Sequence, residues 1–366
     1  MADKKAKLNK RLAEQIVDQC VRVAEGEMVW IASLRDALDL AEAVAVQCDK
    51  KGAKPLIAVQ SDSYMKQSLM ETEVKFLEAP QKQVVEAFNA VDVYIGLGKP
   101  ALAGVPLERI GAWRRSRKAM SDVMDSRGIR WIGVSYPTEG RAKESRMSLG
   151  KFEKAVLNAI DVDYTKISER GKEIIRATSD AKTVHVTSNR GTDITFDATG
   201  RKWLNDDGIM DDEDIASKDV GMNLPAGEVF ISPIEESANG VAFFDVPTSY
   251  FGWGVHNITL TFKDGRVTGF KAEEGEENLR KILESATGDK DMFAEFAMGT
   301  NPNATFINDI TQDEKVLGTV HMAIGNNKGP AYGGKNDSSI HWDFIMTKPT
   351  VEIGGKTILK DGKFLI

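Results

Sequence analysis

Two stretches late in the chain, Gly318-Thr-Val-His-Met-Ala-Ile-Gly325 and Ile340-His-Trp-Asp-Phe344, decide how its second half is read. In a strand, successive side chains point to opposite faces. Val320, Met322 and Ile324 then share one face, and His321 shares the other with the small residues Thr319 and Ala323. In the same way Ile340, Trp342 and Phe344 face one side, and His341 and Asp343 the other. Each strand is anchored by an apolar face and offers polar groups from the opposite one. Two more carboxylates stand in otherwise apolar strand-like runs: Glu228 opens Glu-Val-Phe-Ile-Ser232, and Glu295 lies in Ala294-Glu-Phe-Ala-Met298. A carboxylate on a buried strand is costly unless it is paired or binds a metal. These segments carry no equally placed basic residue.

Working outward, the strand pattern fills the second half. Residues 183–187 and 193–196 flank a turn at Asn189-Arg190-Gly191, and further strands are expected at 240–244, 258–262 and 266–272. Asp264-Gly265 joins the last two as a hairpin signal, and one helix is expected near 276–286. The first half has a different rhythm. An amphipathic helix over 8–24 places Leu12, Ile16, Cys20 and Val23 at helical spacing. A helix over 33–48, capped by Ser33 and stopped near Gly52, follows a strand at 28–32. Short apolar strands at 55–59, 91–97 and 129–135 alternate with helical stretches, and a long helical pattern over 150–177 closes the half. That alternation predicts a parallel sheet with helices on both faces. The expected fold is an α/β N-terminal scaffold domain over residues 1–180, followed by a mostly β (α+β) catalytic, metal-binding domain over 181–366.

Composition narrows the function. The 366 residues give room for two cores, and 42% hydrophobic with 28% charged residues is ordinary for a soluble globular chain. The lysine-rich start has no apolar segment after it, and no run is long enough to cross a bilayer, so a cytoplasmic protein without membrane partners is expected. Two cysteines, Cys20 and Cys48, both in helix-like segments, exclude a disulfide framework. A net charge of −7 argues against a nucleic-acid partner, and Arg114, Arg115, Arg117 and Lys118 read as a solvated helix face. Gly96-Leu97-Gly98-Lys99 follows a strand but meets neither phosphate-loop spacing, and reads as a turn. The acidic run Asp206, Asp207, Asp211, Asp212, Glu213 and Asp214 reads as a solvated loop.

Two imidazoles and three carboxylates suit a two-metal site, because two divalent ions carry four positive charges that three carboxylates and one bridging hydroxide cancel. Nitrogen and oxygen donors point to zinc, cobalt or manganese. Such a pair activates water and clamps an oxyanion. Scattered polar residues of a core are the competing reading of the same pattern. His185 and His256, with no carboxylate at strand spacing, read as structural. Asp313 and Glu314 read either as groups that orient ligands or as a cap or turn.

At these residues the chain resembles the thermophilic-type metallo-aminopeptidases, the aminopeptidase T and aminopeptidase S family, leucyl aminopeptidase-like. The matching segments are Leu224-Pro-Ala-Gly-Glu-Val-Phe-Ile-Ser-Pro233 with Asn239-Gly-Val241, Thr261-Phe-Lys-Asp-Gly-Arg-Val267, the run around Glu295, His321-Met-Ala-Ile-Gly325 and Ile340-His-Trp-Asp-Phe344, in the family's order. The resemblance implies two catalytic metals held by Glu228, Glu295, His321, His341 and Asp343. It also implies a peptide substrate, release of N-terminal residues, and a homodimer. Glu228 or Glu295 is expected to shuttle a proton as well. The family's tyrosine, seven residues after the first histidine, is Lys328 here, and the nearest tyrosine is Tyr332 in the glycine-rich loop 325–334. Lys328 and Tyr332 are therefore candidates to assist the reacting carbonyl. Ring-cleaving dihydroxypyridine dioxygenases are similar to the same fold with one iron. His321, His341 and Asp343 would form their iron(II) triad, and this is the alternative function. A metal-binding or oligomeric structural protein without turnover is the third class.

Overall fold

In the computed structural model, residues 2–179, 182–329 and 331–366 are described. The chain divides into two compact units: Met1–Leu157 with Gly208–Pro225, and Asn158–Asp207 with Ala226–Ile366. It therefore crosses between units three times, rather than once near residue 180. The long helical pattern is two helices, Leu149–Ile160 and Tyr164–Thr178, and Asp163 caps the second by accepting the Thr165 N–H. The second of these helices packs on strands Leu204–Asp206 and Glu228–Ile231 of its own unit. The segment Gly208–Pro225 returns to the first unit because its strand Gly221–Leu224 extends the parallel sheet there. That strand has four residues, too few for a periodic signal.

The first unit carries the expected parallel sheet, in the order Lys54–Gln60, Met28–Leu34, Val93–Leu97, Arg130–Val134, Gly221–Leu224. Its central strands bury Val29, Ile31, Val93, Ile95 and Ile132. Ser33 belongs to the strand and caps no helix. It is buried, its hydroxyl donates to the Leu34 carbonyl, and the helix begins at Leu38. Of the Gly96–Lys99 segment, Gly96 and Leu97 still belong to the strand Val93–Leu97, and the chain bends only at Gly98, which has φ +85° and donates its N–H to Val134. In the basic cluster, Arg115 pairs with Glu78 and Lys118 with Asp122.

The second unit holds a nine-stranded and a five-stranded antiparallel-rich sheet. The expected hairpin joins Trp253–Lys263 to Arg266–Glu274, and its turn residues Asp264 and Gly265 both have positive φ, which sets the twist that two-residue hairpins need. The smaller sheet positions the polar residues. Its order is His341–Met346, Val320–Gly325, Phe293–Gly299, Glu228–Ile231, Leu204–Asp206, all antiparallel. One face is apolar: Phe296, Met298, Val320, Met322, Ile324, Trp342 and Phe344 are all buried. A bulge between Phe293 and Glu295 keeps both Phe293 and Phe296 on the apolar side while turning Glu295 to the other. Among the described residues, no helix is long and apolar enough to cross a membrane.

Candidate metal centre

The polar face of the small sheet gathers the predicted residues by register. Ala323 lies opposite both Glu295 and Asp343, so a methyl group separates two carboxylates across three strands. His321 is flanked by Ala297 and Ile345, and His341 stands opposite Gly325. Glu228 lies between Gly299 and Asp206. Ala297 and Ala323 leave the space above this face to the ionisable side chains, while Gly299 and Gly325 admit neighbouring backbone: a Cβ there would sit 2.1 Å from the Val316 carbonyl and 2.2 Å from the Ile340 carbonyl.

Those side chains converge. His321 Nε2 is 3.1 Å from Glu228 Oε2 and 3.3 Å from Glu295 Oε1. His341 Nε2 is 3.2 Å from Asp343 Oδ1 and 3.8 Å from Glu295 Oε2. Donor atoms of Glu228, Glu295 and His321 all lie within 4.8 Å of one another, as do those of Glu295, His341 and Asp343, and those of Glu314, His321 and Asp343. Among the described residues, no such group contains both histidines. The iron triad of His321, His341 and Asp343 therefore does not close on one point here.

The donor set suits a cation. His341 Nδ1 donates to the Asn326 carbonyl at 2.7 Å, which leaves Nε2 to face the carboxylates with its lone pair in the neutral ring. Glu228 Oε2, Asp343 Oδ1 and His321 Nδ1 are buried and make no hydrogen bond of acceptable geometry. Buried polar atoms normally find a partner, and carboxylate oxygens facing imidazole nitrogens at about 3 Å are what divalent ions bring together.

Proton affinities follow the crowding. Burial alone would lower the His341 pKa, but Asp343 and Glu295 outweigh it and push it up to about 10. His321 is likewise raised by Glu228 and Glu295 against burial. Burial would raise Asp343, yet His341 and His321 pull it below the usual carboxylate range. With no ion present, the carboxylates favour the protonated form of both histidines. An ion takes over that positive charge, so its uptake releases protons.

One residue of this cluster was missed from sequence. Lys315, with no exposed side-chain surface, donates to Glu228 Oε1 and lies 3.2 Å from Asp206 Oδ2 and 3.1 Å from Glu314 Oε1. The absence of a basic partner for Glu228, inferred from its own segment, is therefore corrected: the partner comes from 87 residues away. The same ion pair corrects the reading of Asp206 as part of a solvated loop. Asp206 is buried beside Glu228, Asp207 is also buried and accepts from the Asn205 amide, and Asp211 and Asp214 cap the helix Asp212–Ser217. One ammonium is shared by three buried carboxylates. Burial works to raise Glu228, but Lys315 and His321 lower it to about 2, whereas burial carries Asp206 and Glu314 up to about 7 in spite of Lys315. Asp313 accepts the Ile307 N–H, so it fixes the turn that delivers Lys315.

The two loop candidates separate. Lys328 is exposed and pairs with Asp337 at 2.8 Å. Tyr332 packs edge-on against Phe230, ring centroids 5.5 Å apart, beside Ala297, which lies opposite His321. Their loop is held by Glu235, which is buried, takes an ion pair from Arg201 at 2.6 Å and accepts from Asn327 and the Lys335 N–H. His185 has carboxylate neighbours across strands rather than along its own: Asp193 at 2.9 Å and Glu352 at 3.9 Å. His256 belongs to the nine-stranded sheet, where it stands opposite Glu274.

Comparison with known proteins agrees with the geometry. The family model of thermophilic metalloproteases (M29) matches residues 5–364. Aminopeptidase AmpS of Bacillus subtilis is 24% identical over 96% of this chain and 94% of its own length. Aminopeptidase T of Thermus aquaticus is 26% identical over 97% and 95%. The solved structure of AmpT from Thermus thermophilus shares the fold, with a TM-score of 0.78 at 19% identity over 98% of this chain and 99% of that one. A 2,5-dihydroxypyridine dioxygenase from Pseudomonas putida shares it more distantly, with a TM-score of 0.65 at 15% identity over 98% and 96%. With its ionisable residues gathered on one sheet face and the family match running almost end to end, the chain belongs to the thermophilic metalloprotease (M29) family and is a hydrolase of the metallo-aminopeptidase class.

Proposed function

We propose that the chain binds two divalent ions on the polar face of the small sheet and releases N-terminal residues from peptides. The observation that carries this reading is the division of Glu295. Its Oε1 faces His321 and its Oε2 faces His341, so two three-donor groups share one carboxylate. Glu228, Glu295 and His321 would hold one ion, and Glu295, His341 and Asp343 the other. Zinc, cobalt and manganese match the nitrogen and oxygen donors. Divalent ions so held polarise a carbonyl and make water nucleophilic at neutral pH.

The chain's own residues do the rest. Asn326 fixes the His341 ring, and the apolar face beneath the strands fixes the heights of all five donors. Glu228 and Glu295 are the carboxylates placed to pass a proton. Of the two loop residues, Tyr332 takes the role of assisting the reacting carbonyl, because it packs over the row of residues that includes His321, while Lys328 is engaged at the surface. The second unit is then the catalytic domain and the first the scaffold. The reading includes a cytoplasmic location and a homodimer, and the edge strand Lys54–Gln60, which leaves Leu56 and Val59 exposed, offers a surface for the second copy. The test is elemental analysis of protein purified without chelator, with a screen of aminoacyl substrates. About two zinc, cobalt or manganese ions per chain and release of N-terminal residues are expected. One iron with oxygen-dependent ring cleavage defeats the reading.

A further inference from the structure

The cluster carries a cation of its own. Lys315 is enclosed by Asp206, Glu228 and Glu314 and is not itself one of the five candidate ligands. Its approach is built into the backbone. Gly299, opposite Glu228, lets the Lys315–Val316 segment pass so close that a Cβ there would sit 2.1 Å from the Val316 carbonyl. The Lys315 carbonyl accepts the Asn301 N–H at 2.9 Å, which fixes the point from which the side chain enters.

What the ammonium does is visible in Glu228. One carboxylate oxygen, Oε1, is taken by Lys315, and the other, Oε2, faces His321 without a hydrogen bond. The last torsion of a glutamate is broad, so an unrestrained carboxylate can turn both oxygens, or neither, toward a cation. The bond to Lys315 fixes the carboxylate plane and leaves a single oxygen for the group it forms with Glu295 and His321. Charge gives Lys315 a second possible role. Its ammonium offsets negative charge on Asp206, Glu228 and Glu314 whether or not it orients any of them. A pure counter-charge and a positioning group predict different things.

We propose that Lys315 is a positioning residue: it holds Glu228 so that one oxygen, Oε2, is presented to the ion bound with His321 and Glu295. This rests on the two-ion reading above. Lys315→Met alone strands three buried carboxylates and can prevent folding, so the decisive variant is Asp206→Ala with Lys315→Met. It keeps the formal charge, and neither new side chain can donate to Glu228. The full-length chain, stripped by chelator, is titrated with cobalt(II) by calorimetry while its visible absorption is recorded, and folding is checked by circular dichroism. Wild type should take up two cobalt ions. The double variant should keep one at wild-type affinity and bind the other about ten- to a hundredfold more weakly, as loss of an outer partner of a ligand does, with a changed cobalt spectrum. Two unchanged affinities and an unchanged spectrum overturn the proposal and leave Lys315 a counter-charge. A wild type that binds a single cobalt refutes the two-ion reading instead. Lys315 is then judged on that one affinity: a drop in the variant supports the proposal, and no change overturns it.

Discussion

Replacing Glu295 by Gln tests the division of one carboxylate between two ions. The substitution keeps shape and volume, and the residue lies on a strand packed by Phe293 and Phe296 on its far side, so the fold should persist. An amide has one oxygen and one NH2. Whichever way it turns, one of the two donor groups keeps a neutral oxygen, and the other meets an NH2 that cannot ligate. The group at His341 is then left with two protein donors, or the group at His321 is, and both lose the shared charge. We expect about one ion per chain instead of two, and hydrolysis lower by at least about a hundredfold, which is about 2.7 kcal/mol of barrier. Glu228→Gln provides the contrast, because Glu228 belongs to a single one of the two groups that share Glu295. It should weaken one ion and leave the other at wild-type affinity. Elemental analysis and calorimetry on both variants, with aminoacyl hydrolysis as the second readout, decide the matter. If Glu295→Gln keeps two ions and activity within about threefold of wild type, a change of under 1 kcal/mol, the shared carboxylate is not a ligand and the argument fails.

Chelation should abolish activity, and cobalt, zinc or manganese should restore it; full activity in protein shown by elemental analysis to be metal-free would end the metallo-hydrolase reading. Lys328→Ala should stay within about twofold of wild type, because its exposed ion pair is worth little, whereas Tyr332→Phe should lower kcat with little change in metal content; the opposite ranking would return the role to Lys328. The ion-free chain should lose stability as pH rises. His341, held up at about 10, and His321, also raised, bind protons more tightly folded than unfolded, so their contribution is complete below about pH 6.5 and is lost through the folded value. Burial raises Asp206 and Glu314 to about 7, which acts in the same direction at lower pH. Thermal melts of stripped protein between about pH 6 and 10 should therefore show a falling midpoint that added zinc flattens, and a midpoint that rises with pH contradicts the assignment.

Strand alternation made the donor face legible. It separated His321 from Val320 and Met322, and His341 and Asp343 from Trp342 and Phe344, and the register of the small sheet keeps that separation. The local pattern also located Glu228 and Glu295, since a carboxylate in an apolar strand is conspicuous wherever the strand lies. It misplaced Ser33, because a serine before a helical run reads as a cap even when the strand continues through it. It also merged two helices at Asp161–Asp163, where periodicity survives a break of one turn.

Lys315 marks the limit of that kind of reading. Nothing in Asp313-Glu314-Lys315-Val316 distinguishes a buried lysine from a solvated one, and among alternating acids and bases the solvated reading is the natural one. Its burial is decided by residues elsewhere: Gly299, which admits the backbone, and Asp206 and Glu228, which reach it across 109 and 87 residues. A rule that searched only each carboxylate's own segment for a basic partner was bound to miss it. The better rule follows from charge. Three carboxylates and a bridging hydroxide already balance two divalent ions, so Asp206 and Glu314 add buried acid groups that must take up a proton or find a cation, and an unmatched buried charge is costly. Once Asp206 and Glu314 are known to join the other three, a buried cation beside them is the partner to look for. Lys315 is the residue that the topology brings within reach of both and of Glu228.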